Sequence, residues 1–384
     1  MAKWIGIFLS LIILVFAYLW VEPQPKCQGR PLIAWLQDYG GPFKEKRAAA
    51  ESVLRHLDAK DLRRLVRILT ARETPGIWMM DKMLRWLPLS LARPISRYLH
   101  PYDLSVARAA AAQVLSWYQP LNPRALQALE KAAQGKDLRV RLAALQALSR
   151  CGPDGVRVLA RLLQKAPSGQ ETFIVSVIGD AGKAAAVALE ALAAKVQAYP
   201  PRNVWPSYAK AFRAAGEEGF KTLLRLLQTT EGAALEATTG ILTLWISQDY
   251  DRLKRFIALW PTFPKRARLA AIEALAGAKG WESVRYLALA EAIRDEDPEV
   301  RQAAAKVLQG LGERAVVGIV TYMEALKDPK PGTRRLAIEL LAQCGSKAQM
   351  ALSRLQKLAT QDPDPQVREA AQQAIQKIQA SPGS

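Results

Sequence analysis

One stretch of this chain returns at a nearly fixed interval, and that recurrence constrains the fold more than any other feature. It reads "KRAAAESVL" at 46–54, "ARAAAAQVL" at 107–115, "VRLAALQAL" at 140–148 and "ARLAAIEAL" at 267–275. It returns as "VRQAAAKVL" at 300–308, "RRLAIELL" around Arg334 and "VREAAQQAI" at 367–375. The aligned arginines are Arg47, Arg108, Arg141, Arg268, Arg301, Arg334 and Arg368. Four intervals, from Arg108 to Arg141 and then from Arg268 through Arg301 and Arg334 to Arg368, are 33, 33, 33 and 34 residues. A period in this range marks stacked supersecondary units, because no single unit can bury its own apolar face.

Within each copy, the second, third, sixth and seventh positions after the arginine are mostly apolar, which places them on one helical face. The third is alanine in all seven copies: Ala50, Ala111, Ala144, Ala271, Ala304, Ala337 and Ala371. A small residue there lets a neighbouring helix approach closely. Asp137, Asp297 and Asp364 each stand four residues before an arginine. Aspartate there can cap exposed backbone N–H groups, and the proline of "DPEV" and "DPQV" suits the first helical position. The arginine one turn on can reach the aspartate or the carbonyls of the preceding turn, so these arginines read as structural.

Other amphipathic segments alternate with the signature: "NPRALQALEKAAQ", "PDGVRVLARLLQKAP", "GFKTLLRLLQTT", "SVRYLALAEAI" and "ALSRLQKLATQDP". The pattern is helix, tight turn, helix, repeated. From Arg141 to Arg268 the signature fades over 127 residues, close to four periods. "ETFIVSVIGDAG", "NVWPSYAKAFRAAG" and "GAALEATTGILTLW" supply the missing second helices. The expected fold is all-α, an α-solenoid of about ten repeats over 31–380, with a short tail at 381–384.

These residues resemble HEAT repeats, in the short form also seen in bilin-lyase-type repeat proteins. The segment "CQGRPLIAWLQDY" followed by "FKEKRAAAESVL" resembles the start of bacterial membrane-anchored HEAT-repeat proteins, through Gly29, Arg30, Pro31, Leu32, Trp35 and Leu36. The resemblance implies a scaffold that binds another protein along a long concave face. It implies no catalytic residues and no cofactor.

Composition agrees with that absence. Three cysteines, Cys27, Cys151 and Cys344, and two histidines, His56 and His100, offer no C-x-x-C pair and few metal ligands. Cys151 and Cys344 each follow the repeat arginine by ten residues, where a buried small residue ends a helix. Neither histidine has a nucleophile or carboxylate at a recognisable spacing. No catalytic, cofactor-binding or metal site is expected.

The N-terminus adds a second expectation. "WIGIFLSLIILVFAYLWV", 4–21, is an uncharged apolar run about long enough to span a bilayer, with Trp4, Tyr18 and Trp20 near its ends. It lacks small residues at its end, which favours an uncleaved transmembrane anchor over a signal peptide. The expected arrangement is an anchor at 1–22, a linker at 23–30 and an extracytoplasmic body, making a single-pass membrane protein.

An irregular insertion at 73–101 interrupts the repeats with "ETPGIWMMDKMLRWLPLSLARPISRYLH". It reads as a cover for the end of the stack. It also reads as a partner or membrane surface, in which Trp78, Arg85, Trp86, Arg93 and Arg97 join Arg63, Arg64 and Arg67 just upstream. The chain carries 54 Lys+Arg against 35 Asp+Glu, a formal net charge of +19. Such a charge favours polyanions. An anionic lipid or cell-envelope polymer fits an exported body. Nucleic acid would require a cytoplasmic one and would bind with steep salt dependence.

Overall fold

The computed structural model describes residues 26–71 and 103–380. The described residues are helical apart from turns and one short antiparallel pairing, β1 (Lys26–Cys27) with β2 (Arg30–Pro31). They divide into two compact bodies, with the boundary between Ala191 and Leu192.

In the N-terminal body the helices are α1 (Leu32–Gly40), α2 (Lys44–Leu54), α3 (Ala59–Thr70) and α4 (Leu104–Leu115). There follow α5 (Pro123–Ala133), α6 (Leu138–Arg150), α7 (Gly152–Lys165) and α8 (Ser168–Asp180). Each starts where local chemistry allows. Asp58, Asp103, Asn122 and Asp137 accept a hydrogen bond from the backbone N–H three residues on, at the starts of α3, α4, α5 and α6. First helices α3, α5 and α7 pack side by side, and second helices α4, α6 and α8 form the other layer. α1 lies against both α2 and α4.

The C-terminal body contains second helices α10 (Trp205–Ala214), α12 (Gly232–Ile246), α14 (Lys265–Gly277), α16 (Pro298–Gly310), α18 (Pro331–Gln343) and α20 (Pro365–Ala380). Each packs on the next. Between them run first helices α11 (Glu217–Thr229), α13 (Tyr250–Leu259), α15 (Glu282–Ala292), α17 (Ile319–Ala325) and α19 (Leu352–Gln361). α9 (Leu189–Gln197) spans the boundary between the bodies. Seven-residue 3₁₀ segments at 182–188, 312–318 and 345–351 precede α9, α17 and α19. The helix–turn–helix pattern of the sequence predicts a plain tight turn there. Gly182, Gly312 and Gly345 take left-handed φ values of 59°, 56° and 55°, and this turns the chain before the 3₁₀ segment starts.

The alanine third after each arginine is fully buried in all seven copies. Around it pack the leucines, isoleucines and valines of the same face, such as Leu308 and Val300 on α16. Bulkier cores need local accommodation. A side chain at Gly240 would overlap the Trp205 ring at 2.2 Å, so only glycine lets α10 and α12 meet there. In α12, the hydroxyls of Thr238, Thr239 and Thr243 donate to carbonyls four residues back, which satisfies them inside an apolar helix.

The repeat arginines bind backbone. Arg47, Arg141, Arg301, Arg334 and Arg368 each donate to the carbonyl six residues earlier: Gly41, Gly135, Asp295, Asp328 and Asp362, at 2.8, 3.1, 2.9, 2.9 and 2.7 Å. Arg268 donates to Phe263 O at 2.9 Å, and Arg108 to Leu69 O at 3.0 Å. The aspartates four residues before Arg141, Arg301 and Arg368 cap backbone N–H groups. Two arginines also reach forward into the following repeat. Arg334 grips Asp362 through two bonds of 2.8 and 2.7 Å, and Arg268 Nε lies 3.0 Å from Asp295 Oδ2. Burial pushes the Asp362 carboxyl up. The Arg334 guanidinium and the Asp364 N–H outweigh it and hold the group below the usual carboxylate range.

The reading as a single-pass membrane protein is corrected. Among the described residues no helix is long and apolar enough to cross a membrane. α20 has 16 residues with charged and amide side chains on its open face, short of the ~20 apolar residues a spanning helix needs. The segment at 4–21 lies outside the described residues, as do the insertion at 73–101 and the tail at 381–384.

Two substitutions test the packing. Ala304→Leu should overpack α16 and cost about 1–3 kcal/mol, read as a fall in denaturation midpoint. Tyr322→Phe removes a fully buried hydroxyl that has no hydrogen-bond partner among the described residues. It should leave stability unchanged or raise it, and a clear loss would show that the hydroxyl is bonded in solution.

Candidate functional site

A cavity of about 610 Å³ opens in the N-terminal body, where the α1–α2 turn meets α4 and the start of α6. Val106, Ala109 and Ala110 of α4 line it with apolar surface, and Gln37, Gln113, Arg47, Asp103 and Arg139 bring polar and charged groups. Gly40 lets the α1 backbone come close to α4, since a side chain there would meet Val106 Cγ1 at 2.6 Å. The turn that follows, Gly41-Pro42, ends α1 and carries the chain to α2.

Several contacts hold this wall. Arg47 donates to Gly41 O at 2.8 Å, and Gln37 donates to the backbone carbonyl of Asp103. Asp103 accepts from Val106 N at 3.2 Å and lies 3.9 Å from the Arg139 guanidinium. Both charged groups of that pair are exposed, so it is a weak restraint. Tyr39 stands edge-on to Trp117 with ring centroids 5.3 Å apart, and the Arg55 guanidinium lies 4.9 Å over Trp117. Burial, then the nearby Glu51 carboxylate, pushes the Tyr39 hydroxyl up, so it stays a neutral donor at physiological pH. The result is a groove with an apolar floor and hydrogen-bonding walls.

Chemistry for bond making is sparse. Among the described residues no group of three or more His, Cys, Asp or Glu side chains is placed to hold a metal ion. Cys27, Cys151 and Cys344 are free thiols. Cys151 donates to Ala147 O at 3.0 Å, and burial pushes its thiol up. Burial pushes the Cys344 thiol up to about 11. Such thiols are poor nucleophiles at neutral pH. The His56 ring, in the turn after α2, lies 2.8 Å from Ser52 O of that helix.

The sequence-predicted surface residues fall elsewhere. Arg63, Arg64 and Arg67 sit on α3, away from the groove lining, and Arg64 pairs with Asp61 at 2.6 Å. Trp78, Arg85, Trp86, Arg93 and Arg97 lie outside the described residues. The repeat arginines are committed to backbone carbonyls. Sequence reasoning missed the groove residues Gln37, Tyr39, Asp103, Gln113 and Arg139, which are scattered across three helices and share no spacing. It also missed Asp295, Asp328 and Asp362, although these recur at 33 and 34 residues.

Comparison with known families matches the HEAT-repeat models, at residues 319–383 for HEAT repeats and at 287–315 for a single HEAT repeat. Residues 287–315 and 319–383 of this chain thus carry HEAT repeats. Comparison with curated protein sequences finds no match. Among solved structures, importin beta is similar at 14% identity over 90% of this chain, with a TM-score of 0.33. The chain spans 50% of that importin's length. Kap121p is similar at 13% identity over 90% of this chain and 40% of its own, with a TM-score of 0.34. An engineered protein is similar at 19% identity over 83% of this chain and 96% of its own, with a TM-score of 0.23. Similarities at this level say nothing about partners.

Asp103→Ala should remove the cap from α4 and cost about 0.5–2 kcal/mol in chemical denaturation. Asp103→Asn keeps an acceptor for Val106 N and should stay close to the parent protein. Equal losses in both variants would assign the effect to the Arg139 pair instead.

Proposed function

We propose that this HEAT-repeat chain is a non-catalytic scaffold that binds another protein, and that the groove between α1, α4 and α6 seats part of that partner. The observation that carries this reading is the groove itself, a concavity of about 610 Å³ with an apolar floor and polar walls. Apolar contact supplies the driving force for association, and the amides of Gln37 and Gln113 with the guanidinium of Arg139 supply direction. The floor rests on α4, whose alanines are held between α1 and α6, so the wall is set before a partner arrives. The side chains available suit recognition rather than turnover: amides, guanidiniums and a neutral phenol, with no nucleophile activated by a base.

A photo-crosslinking residue at Gln113 tests the reading in intact cells. A discrete protein adduct is expected, and it should disappear in a Val106→Glu variant that keeps its helical circular dichroism. An adduct pattern no different from that of a control position at Gln373 would contradict the proposal.

A further inference from the structure

The outer face of the first helices in the N-terminal body is unlike the groove. Leu65, Leu129 and Leu159 are completely buried on α3, α5 and α7, and they mark equivalent positions on the three neighbouring helices. Two residues after each stands a cation: Arg67, Lys131 and Arg161, all exposed. Buried residues follow four positions after each leucine, at Leu69, Ala133 and Leu163, which confirms the register. Arg161 reaches across to Glu130 at 2.9 Å, so α5 and α7 meet at this level. Arg63 and Arg157 occupy the next position up, with Gln127 between them. Among the described residues Arg63, Arg67 and Lys131 have no carboxylate partner, and the only carboxylates set among these cations are Glu130 and Asp154.

We infer that Arg67, Lys131 and Arg161 form a column that docks an acidic, extended segment of a partner protein. This rests on the protein-binding reading and names the chemistry of the partner. Packed helices lie about 8–10 Å apart, and an extended chain advances about 3.3 Å per residue. Carboxylates three residues apart therefore meet successive rungs as the segment crosses the helices. A nucleic-acid duplex carries a charge about every 1.7 Å, far denser than one cation per helix. A bilayer surface is a poor match too, because among the described residues no exposed large apolar side chain lies on α3, α5 or α7.

The test is fluorescence anisotropy on the full chain, with a labelled synthetic peptide carrying glutamate at every third position. Binding should weaken as salt rises. An Arg67→Glu/Lys131→Glu double variant should lose about ten-fold or more in affinity. Arg67→Gln/Lys131→Gln should lose less, in the same direction, with the fold intact because both side chains are exposed. Peptide affinity indifferent to both variants would overturn the inference. So would single-stranded DNA of equal charge, or phosphatidylserine vesicles, binding more tightly than the peptide through the same cations. Val106→Glu should leave peptide affinity unchanged. If the peptide fails to bind while the Gln113 adduct persists, this column is not the docking surface and the protein-binding reading stands.

Discussion

The interaction on which the described structure most depends is the hydrogen bond from the repeat arginine to the turn before its own helix. Five arginines reach the carbonyl six residues back, at 2.7 to 3.1 Å. Each bond satisfies a backbone acceptor in a sharp turn that no helix or strand could satisfy. It also fixes the angle at which the second helix leaves that turn. Where the same guanidinium grips an aspartate of the next repeat, as Arg334 grips Asp362, local geometry becomes repeat-to-repeat register. The pair is buried on both sides, so each partner depends on the other to offset the cost of losing water.

With the turns set, the alanine strip does the rest. A fully buried alanine in each of the seven helices that carry the signature brings neighbouring helices close enough for their larger apolar residues to interdigitate. The stack leaves two kinds of surface in the N-terminal body. The second-helix side carries the groove, with its apolar floor on α4. The first-helix side carries cations in register, because the repeat buries Leu65, Leu129 and Leu159 and turns the residues two positions on toward solvent. Surface chemistry thus inherits the period of the core.

Much of the fold was legible in the sequence because it is periodic. The arginines, the alanines and the aspartate caps declare themselves by spacing, and so do the first helices through their apolar faces. The 3₁₀ segments were not legible, since a glycine at a helix end looks the same before a tight turn as before "GERAVVG" or "GSKAQMA". Asp362 was missed because its partner Arg334 lies 28 residues away, and local pattern reading stops at one helical turn. The groove was invisible for the same reason: Gln37, Asp103 and Arg139 converge only through the packing of α1, α4 and α6. Spanning a membrane was an expectation drawn from residues 4–21, and nothing in the described helices supports it. The clearest sequence signals belonged to architecture, while the groove residues carried none.

A double-mutant cycle on Arg334 and Asp362 tests the central claim most directly. The single variants Arg334→Met and Asp362→Leu each leave a buried charge alone, and each should cost about 3–5 kcal/mol in equilibrium unfolding. The double variant removes both charges, and it should cost far less than the sum of the two. That coupling would identify the pair as a register-setting staple between repeats. Additive losses would mean that the two side chains act independently, and that apolar packing alone holds the repeats in register.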